Sequence, residues 1–148
     1  MNVEKIIKTE KQLPLEGRTL IHISLVQNKI NEVMINSLKP HDVSPQQFNV
    51  LRILRGQKGN PANLSTLNER MVTKMSNTTR LVDKLILKGF VHRTVCESNR
   101  RKVEINITPE GLEALSNMDV AIKAAEKELL QNFTNEDLIL LNNFLDKF

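Results

Sequence analysis

The chain has 148 residues, a formal net charge of +4, one Cys, five Phe and neither Trp nor Tyr. That length fits one domain, or one compact unit with helical extensions. Single-strand and RNA-recognition surfaces stack bases on exposed rings, so the scarcity of aromatics disfavours them and leaves duplex DNA as the better-suited polyanion.

Residues 1–14 show no strong period, and the opening MNVEKIIKTEKQLPLEG lacks the apolar core of a signal peptide. No run of about 18 apolar residues follows, so the expectation is a cytoplasmic chain with no membrane contact. After Pro14, a long helix is expected from Leu15 to Leu38, with Leu20, Ile23, Val26, Ile30, Val33, Ile35 and Leu38 near helical spacing. Ile21, Leu25 and Met34 widen the stripe, and a helix this apolar needs more than one covering surface. In so small a chain a second subunit can supply it.

Lys39-Pro40-His41-Asp42 breaks the pattern, and Ser44-Pro45 reads as an N-cap with Pro at the first helical position. The helix to about Arg55 buries Phe48, Leu51 and Ile53 or Leu54, with Arg52 and Arg55 outside. Past a glycine-containing loop, Asn63 caps a short helix (Leu64, Leu67 and Met71 inside) that ends near Val72. A second helix is expected from about Thr73 to Lys88, with Met75, Thr78, Leu81, Val82 and Leu85 on one side. Two helices on so short a turn form a helix-turn-helix whose second member is the reader. Its other face holds Ser76, Asn77, Thr79, Arg80, Asp83 and Lys84, groups that can hydrogen-bond base edges and phosphates in a major groove. As plain surface, the same face would leave Asp83 to pair a nearby Lys and Arg80 to bridge to an acid.

Gly89 stands where a left-handed glycine would stop that helix. Phe90–Val95 and Val103–Thr108 are rich in β-branched residues and pair as a hairpin. The connection from Cys96 to Lys102 carries Arg100, Arg101 and Lys102 in succession, a set suited to a narrow minor groove. Thr108-Pro109-Glu110 starts a helix to about Leu130, with Leu112, Leu115, Met118, Ile122, Ala125 and Leu129 on one stripe. Thr134 and Asp137 resemble a capping box for a last helix striped by Leu138, Leu141, Phe144 and Leu145. Residues 44–108 hold twelve Lys and Arg against four Asp and Glu, a net +8, whereas 109–148 hold three against eight, a net −5. A basic block confined to one module is the footprint of a polyanion partner.

The region from Ser44 to Leu115 resembles the MarR family of multiple antibiotic resistance regulators. The resemblance rests on an ordered set: Gln47-Phe48-Asn49-Val50-Leu51-Arg52-Ile53-Leu54, Thr79-Arg80-Leu81-Val82-Asp83-Lys84-Leu85 with Gly89, Asn99-Arg100-Arg101, and Ile107-Thr108-Pro109-Glu110-Gly111. It covers about half the chain. It implies a mainly α fold with a small β-hairpin wing: a winged helix-turn-helix lobe at 44–108 between an N-terminal segment and dimerisation helix at 1–43 and C-terminal dimerisation helices at 109–148. It further implies a transcriptional regulator, a repressor by expectation, that acts as a homodimer on a palindromic double-stranded DNA operator. A small-molecule effector would release it. Ser76, Asn77, Thr79 and Arg80 would meet bases or nearby phosphates, Lys84 a phosphate, and Arg101, with Arg100 and Lys102, the minor groove. Two residues depart from the family pattern: Asn99 replaces the Asp that braces the wing arginine, and Asn68 replaces an Ala and must find a partner or face solvent.

Other classes have less to stand on. A winged helix can serve as a protein-interaction module. Cys96 could make a redox-responsive regulator, with Arg93, Arg100 and Arg101 favouring its thiolate, although a plain strand residue is the simpler reading. His22, His41 and His92 lack metal-ligand spacing, no cofactor motif is present, and no nucleophile–base set points to an enzyme.

Overall fold

Asn, Ser and Thr caps start every α-helix of this chain except α2, which follows Pro14. The computed structural model describes residues 1–148 apart from Met75, Glu97 and Ser98, and apart from the side chains of Cys96, Asn99, Arg100, Arg101 and Lys102. Its elements are α1 (Val3–Ile7), α2 (Leu15–Leu38), a 3-10 turn (Lys39–His41), α3 (Pro45–Gly56), α4 (Leu64–Arg70), α5 (Thr78–Leu87), β1 (Val91–Cys96), β2 (Asn99–Ile107), α6 (Pro109–Leu130) and α7 (Asn135–Leu145). Ser44 and Gln47 form a full capping box on α3, at 3.2 and 2.9 Å. Thr134 and Asp137 form another on α7, at 3.1 and 2.9 Å. Each box satisfies two backbone N–H groups that would otherwise lack partners.

The unexpected helix is α1. Five residues are too few to show a period, but the Asn2 side chain accepts from the Lys5 N–H at 2.9 Å, and Arg18 of α2 holds Glu4 at 2.7 Å. Val3 is fully buried.

The core joins α3, α4, α5, the hairpin and α6. Phe48, Val50, Leu51, Leu54, Leu67, Met71, Val82, Leu85, Val91, Ile105, Leu115, Met118 and Ile122 are buried in one cluster. The hairpin pairs Val91 with Ile107, Arg93 with Ile105 and Val95 with Val103, so its apolar residues share a face. Ala62 adds a short bridge to Ile105 through two backbone hydrogen bonds of 3.0 and 2.7 Å. Thr108 both caps α6, accepting from the Gly111 N–H at 2.9 Å, and donates to the Gly89 carbonyl at 2.7 Å. Gly89 has φ +73, the left-handed conformation that ends α5. Gly111 is required for a different reason: a Cβ there would collide with the Phe90 carbonyl, where α6 starts against the base of the hairpin.

The terminal helices behave differently. Along α2 only Leu38 is buried, while Leu20 is 59% and Ile30 44% exposed. No residue of α7 is buried, and Phe144 and Leu145 are about half exposed, at 53% and 47%. Within one chain the predicted stripes of these helices are only partly covered, by Leu38 and Met34 at the end of α2.

Candidate nucleic-acid interface

The reader helix is shorter than its periodicity predicts. α5 starts at Thr78 rather than near Thr73, and α4 ends at Arg70, with Met71 extended and 2% exposed. Thr73 and Ser76 therefore lie in the turn, and Met75 is outside the described residues. The physical reason is Asn77. Its side-chain oxygen accepts from the Arg80 N–H at 3.1 Å, which makes Asn77 the N-cap instead of a mid-helix residue. Asn68 finds its partner here as well: it accepts from the Thr78 hydroxyl and ties α4 to the first turn of α5.

The two faces of α5 divide cleanly. Thr78, Val82 and Leu85 are buried, whereas Asn77, Thr79, Arg80 and Lys84 are exposed and Ser76 is half-buried. Ser76, Asn77, Arg80, Leu81 and Lys84 line an open groove of about 350 Å³, closed on its far side by Gln46 of α3 and by Thr73. Thr79 is exposed on α5 but is not part of this lining.

The cations of the groove make no ion pair among the described residues. Among the described residues no carboxylate lies within ion-pair distance of Arg80 or Lys84, while Asp83 engages Arg93 of β1 at 3.5 Å rather than a Lys. Lys88 is taken up by Asp42, whose carboxyl is held below its ordinary pKa by the Lys88 hydrogen bond, then by the Lys88 and Lys84 charges. Among the described residues Arg80 and Lys84 thus line the groove without an ion-pair partner, near the N-terminal half of α5.

In the hairpin, Arg100, Arg101 and Lys102 belong to β2, not to a loop as their composition predicts. Val95 pairs with Val103 and Cys96 with Asn99, so the register shifts here and these three residues fall between two consecutive pairs. Such an irregularity bends a strand and re-aims its residues. The side chains of Arg100, Arg101, Lys102, Cys96 and Asn99 lie outside the described residues, as do Glu97 and Ser98.

A second cavity, of about 550 Å³, opens where α2 meets the reader lobe. Its walls are Asn31 and Met34 of α2, Phe48, Asn49, Arg52, Ile53 and Gly56 of α3, and Arg70, Met71, Val72 and Thr73, with Pro45 and Gln46 at one end. The Arg52 guanidinium lies 5.8 Å from the Phe48 ring centroid. The Asn49 side-chain oxygen is buried without a hydrogen-bond partner. Apolar walls with two guanidinium groups and an unpaired acceptor suit an amphipathic anion that also carries a donor. Among the described residues no three His, Cys, Asp or Glu side chains converge as metal ligands, and no helix is long and apolar enough to cross a membrane.

Residues 43–103 match the MarR family. The HTH-type transcriptional repressor MdtR of Bacillus subtilis is 30% identical over 111 residues, which cover 75% of this chain and 70% of that protein. The chain belongs to the MarR family. A MarR-like transcription regulator from Bacillus cereus superposes with a TM-score of 0.79 at 25% identity, covering 90% of this chain and 96% of its own. An organohalide-sensing regulator solved with 2,4-dichlorophenol bound shares the fold at a TM-score of 0.82 and 20% identity, over 92% of this chain and 80% of its own. The mainly α architecture with a hairpin wing is thus the MarR winged helix. Of the residues predicted for the DNA contact, Ser76, Asn77, Arg80 and Lys84 converge on one groove. Gln46 and Thr73 join them without a sequence signal, because they are brought together by tertiary packing rather than by spacing.

Proposed function

We propose that this MarR-family chain is a double-stranded DNA-binding repressor that acts as a homodimer in the cytoplasm. The observation that supports this most is the two-faced α5. A buried apolar side fixes the helix in the lobe, and on the other Arg80 and Lys84 stand beside Ser76 and Asn77 without an ion-pair partner among the described residues. In this reading the start of α5 enters a major groove, with Ser76, Asn77, Thr79 and Arg80 near base edges and Lys84 on a phosphate. Arg101, supported by Arg100 and Lys102, enters the adjacent minor groove. The bare apolar faces of α2 and α7 support pairing through segments 1–43 and 109–148 around the 44–108 lobe. A two-fold dimer then reads the half-sites of a palindrome about one helical turn, roughly 34 Å, apart.

The lobe-junction cavity supports release by a small molecule, and one fold relative was solved with 2,4-dichlorophenol bound. An anionic aromatic compound with a hydroxyl or N–H donor fits its lining of Arg52, Arg70, Asn49 and Phe48.

The test of the DNA assignment is a titration of Arg80→Ala against a duplex selected from random sequence, at several salt concentrations. The expected loss is on the order of 1–3 kcal/mol with relaxed preference at one position of each half-site. An unchanged affinity and unchanged sequence preference would remove α5 from the contact.

A further inference from the structure

The cations of α5 form a stripe that is already occupied at one end. Arg80, Lys84 and Lys88 recur at four-residue steps, so they follow one side of the helix with a rise of about 6 Å per step. Lys84 lines the reader groove and also an adjoining hollow, which it shares with Lys88, Leu87, Asp42 and Gln47. The cationic side of α5 thus runs on from the groove to the helix C-cap, Lys88.

Lys88 alone on this stripe has an ion-pair partner among the described residues, and the partner comes from another element. Asp42, which ends the 3-10 turn, accepts a hydrogen bond from the Lys88 ammonium. The Lys84 charge adds to Lys88 in holding that carboxyl below its ordinary pKa. The two halves of the pair are unequal: the Lys88 side chain is 26% exposed and that of Asp42 92%. The fold therefore holds the cation, and the carboxylate leans on it from solvent. Asp42 has a left-handed backbone, φ +52, and its N–H donates to the Lys39 carbonyl at 3.0 Å. Asn or Gly meets both of those backbone demands as well as Asp does. What the carboxylate adds is a negative charge against two lysines.

We propose that Asp42 is an affinity-setting residue: its carboxylate occupies Lys88 in place of a DNA backbone phosphate and holds each reader below the affinity that α5 alone would give. The inference rests on the DNA-reading face given above. Carboxylate and phosphate offer a lysine the same kind of charged acceptor oxygen, so they compete for it. With Asp42 in place, the Lys88 charge is cancelled and an approaching phosphate meets a second negative charge. An exposed pair of this kind is weak, which makes Asp42 an adjustment of affinity rather than a block. Asp83 does not serve the same end, because it engages Arg93 of β1.

Asp42→Asn removes the charge and keeps a residue that tolerates the left-handed backbone; Asp42→Gly is the second variant if the first fails to fold. A duplex is first selected from a random pool by the full-length parent protein, and each variant is titrated against it at several salt concentrations. Asp42→Asn is expected to bind roughly 3-fold more tightly per reader, and so about 10-fold more tightly to a duplex with two half-sites. The plot of log affinity against log salt is expected to steepen by about one phosphate contact per reader. In a Lys88→Gln background the same Asp42→Asn change is expected to move affinity for that duplex by no more than about twofold, because no cation is left to release. Unchanged or weaker binding by a folded Asp42 variant, or an equal gain with and without Lys88, overturns the proposal. Failure of the parent to select any duplex overturns the DNA-reading assignment, and this proposal with it.

Discussion

The reader lobe and the terminal helices solve the same problem, an amphipathic helix in water, in opposite ways. Within residues 44–108 each apolar face finds its cover in the chain: Val82 and Leu85 of α5 close on Phe48, Leu51 and Leu67, and the hairpin covers the other side. α2 and α7 carry stripes just as regular, yet Leu20, Ile30, Phe144 and Leu145 stay in contact with solvent. Burial of apolar area contributes about 25 cal/mol per Å², so long uncovered faces at both ends of the chain represent stabilisation still available to a second surface. The lobe closes its core with α6 of the same chain; the terminal helices leave apolar faces that a second chain would cover in the dimer proposed above.

The largest expected effect breaks that second surface. Ile30→Asp combined with Leu145→Asp changes residues already exposed in the single chain, so the lobe should fold as before. The pair should nonetheless sediment as a monomer where the parent is a dimer. Its affinity for a two-half-site duplex should fall on the order of 100-fold or more, because two linked readers gain effective concentration that one does not. A variant that stays dimeric would show that other faces make the contact.

A smaller effect sharpens the lobe side of the comparison. Arg101→Ala should lower operator affinity roughly 10-fold and reduce the salt slope by about one counterion, if the irregular stretch of β2 aims this cation at DNA. Equal salt slopes for parent and variant in an anisotropy titration would remove the wing from the contact. Thr78→Val tests the internal tie between α4 and α5. It leaves the Asn68 oxygen without its donor and should cost about 1–3 kcal/mol in a urea melt. Thr78→Val with Asn68→Ala removes both partners and should recover much of that loss, since two absent polar groups cost less than one stranded one.

What could be seen in advance follows from how local each signal is. Leu15–Leu38 was bounded correctly because Pro14 and Lys39-Pro40 punctuate an apolar period. Ser44-Pro45, Thr108-Pro109 and Thr134 with Asp137 announce their helices within four residues of chain. Periodicity alone starts α5 too early, because a 3.6-residue period counts Met75 with Thr78 and Leu81 whether or not the backbone has begun to coil. Asn77 before Thr78 was a cap signal, but the pattern upstream outweighed it. Composition places the hairpin cations in a loop because it does not show that Asn99 returns to pair with Cys96. Gln46 and Thr73 carry no sequence signal: they are 27 positions apart, and only the packing of α3 against the turn brings them to one groove.

The smallest effect asks how much of α7 is ordered by its own sequence. Asp137 accepts from the Thr134 N–H and hydroxyl, and these bonds, the backbone one first, hold its carboxyl below the ordinary value of about 3.9. A carboxylate with a depressed folded-state pKa contributes its stabilisation in full above the ordinary pKa and loses it as pH falls through the depressed one. Asp137→Asn keeps an acceptor oxygen but cannot titrate. Parent and variant should therefore differ most in thermal stability near neutral pH and converge as pH drops below the carboxylate range. Because the site is fully exposed the difference will be small, and it should be read in a dimer-disrupted background where no second chain props the helix. Curves that stay parallel across that range would mean that the charge on Asp137 adds nothing beyond the acceptor an amide also supplies. The cap would then hold α7 by its hydrogen bonds alone, with no pH-dependent share in the contrast between the two regions.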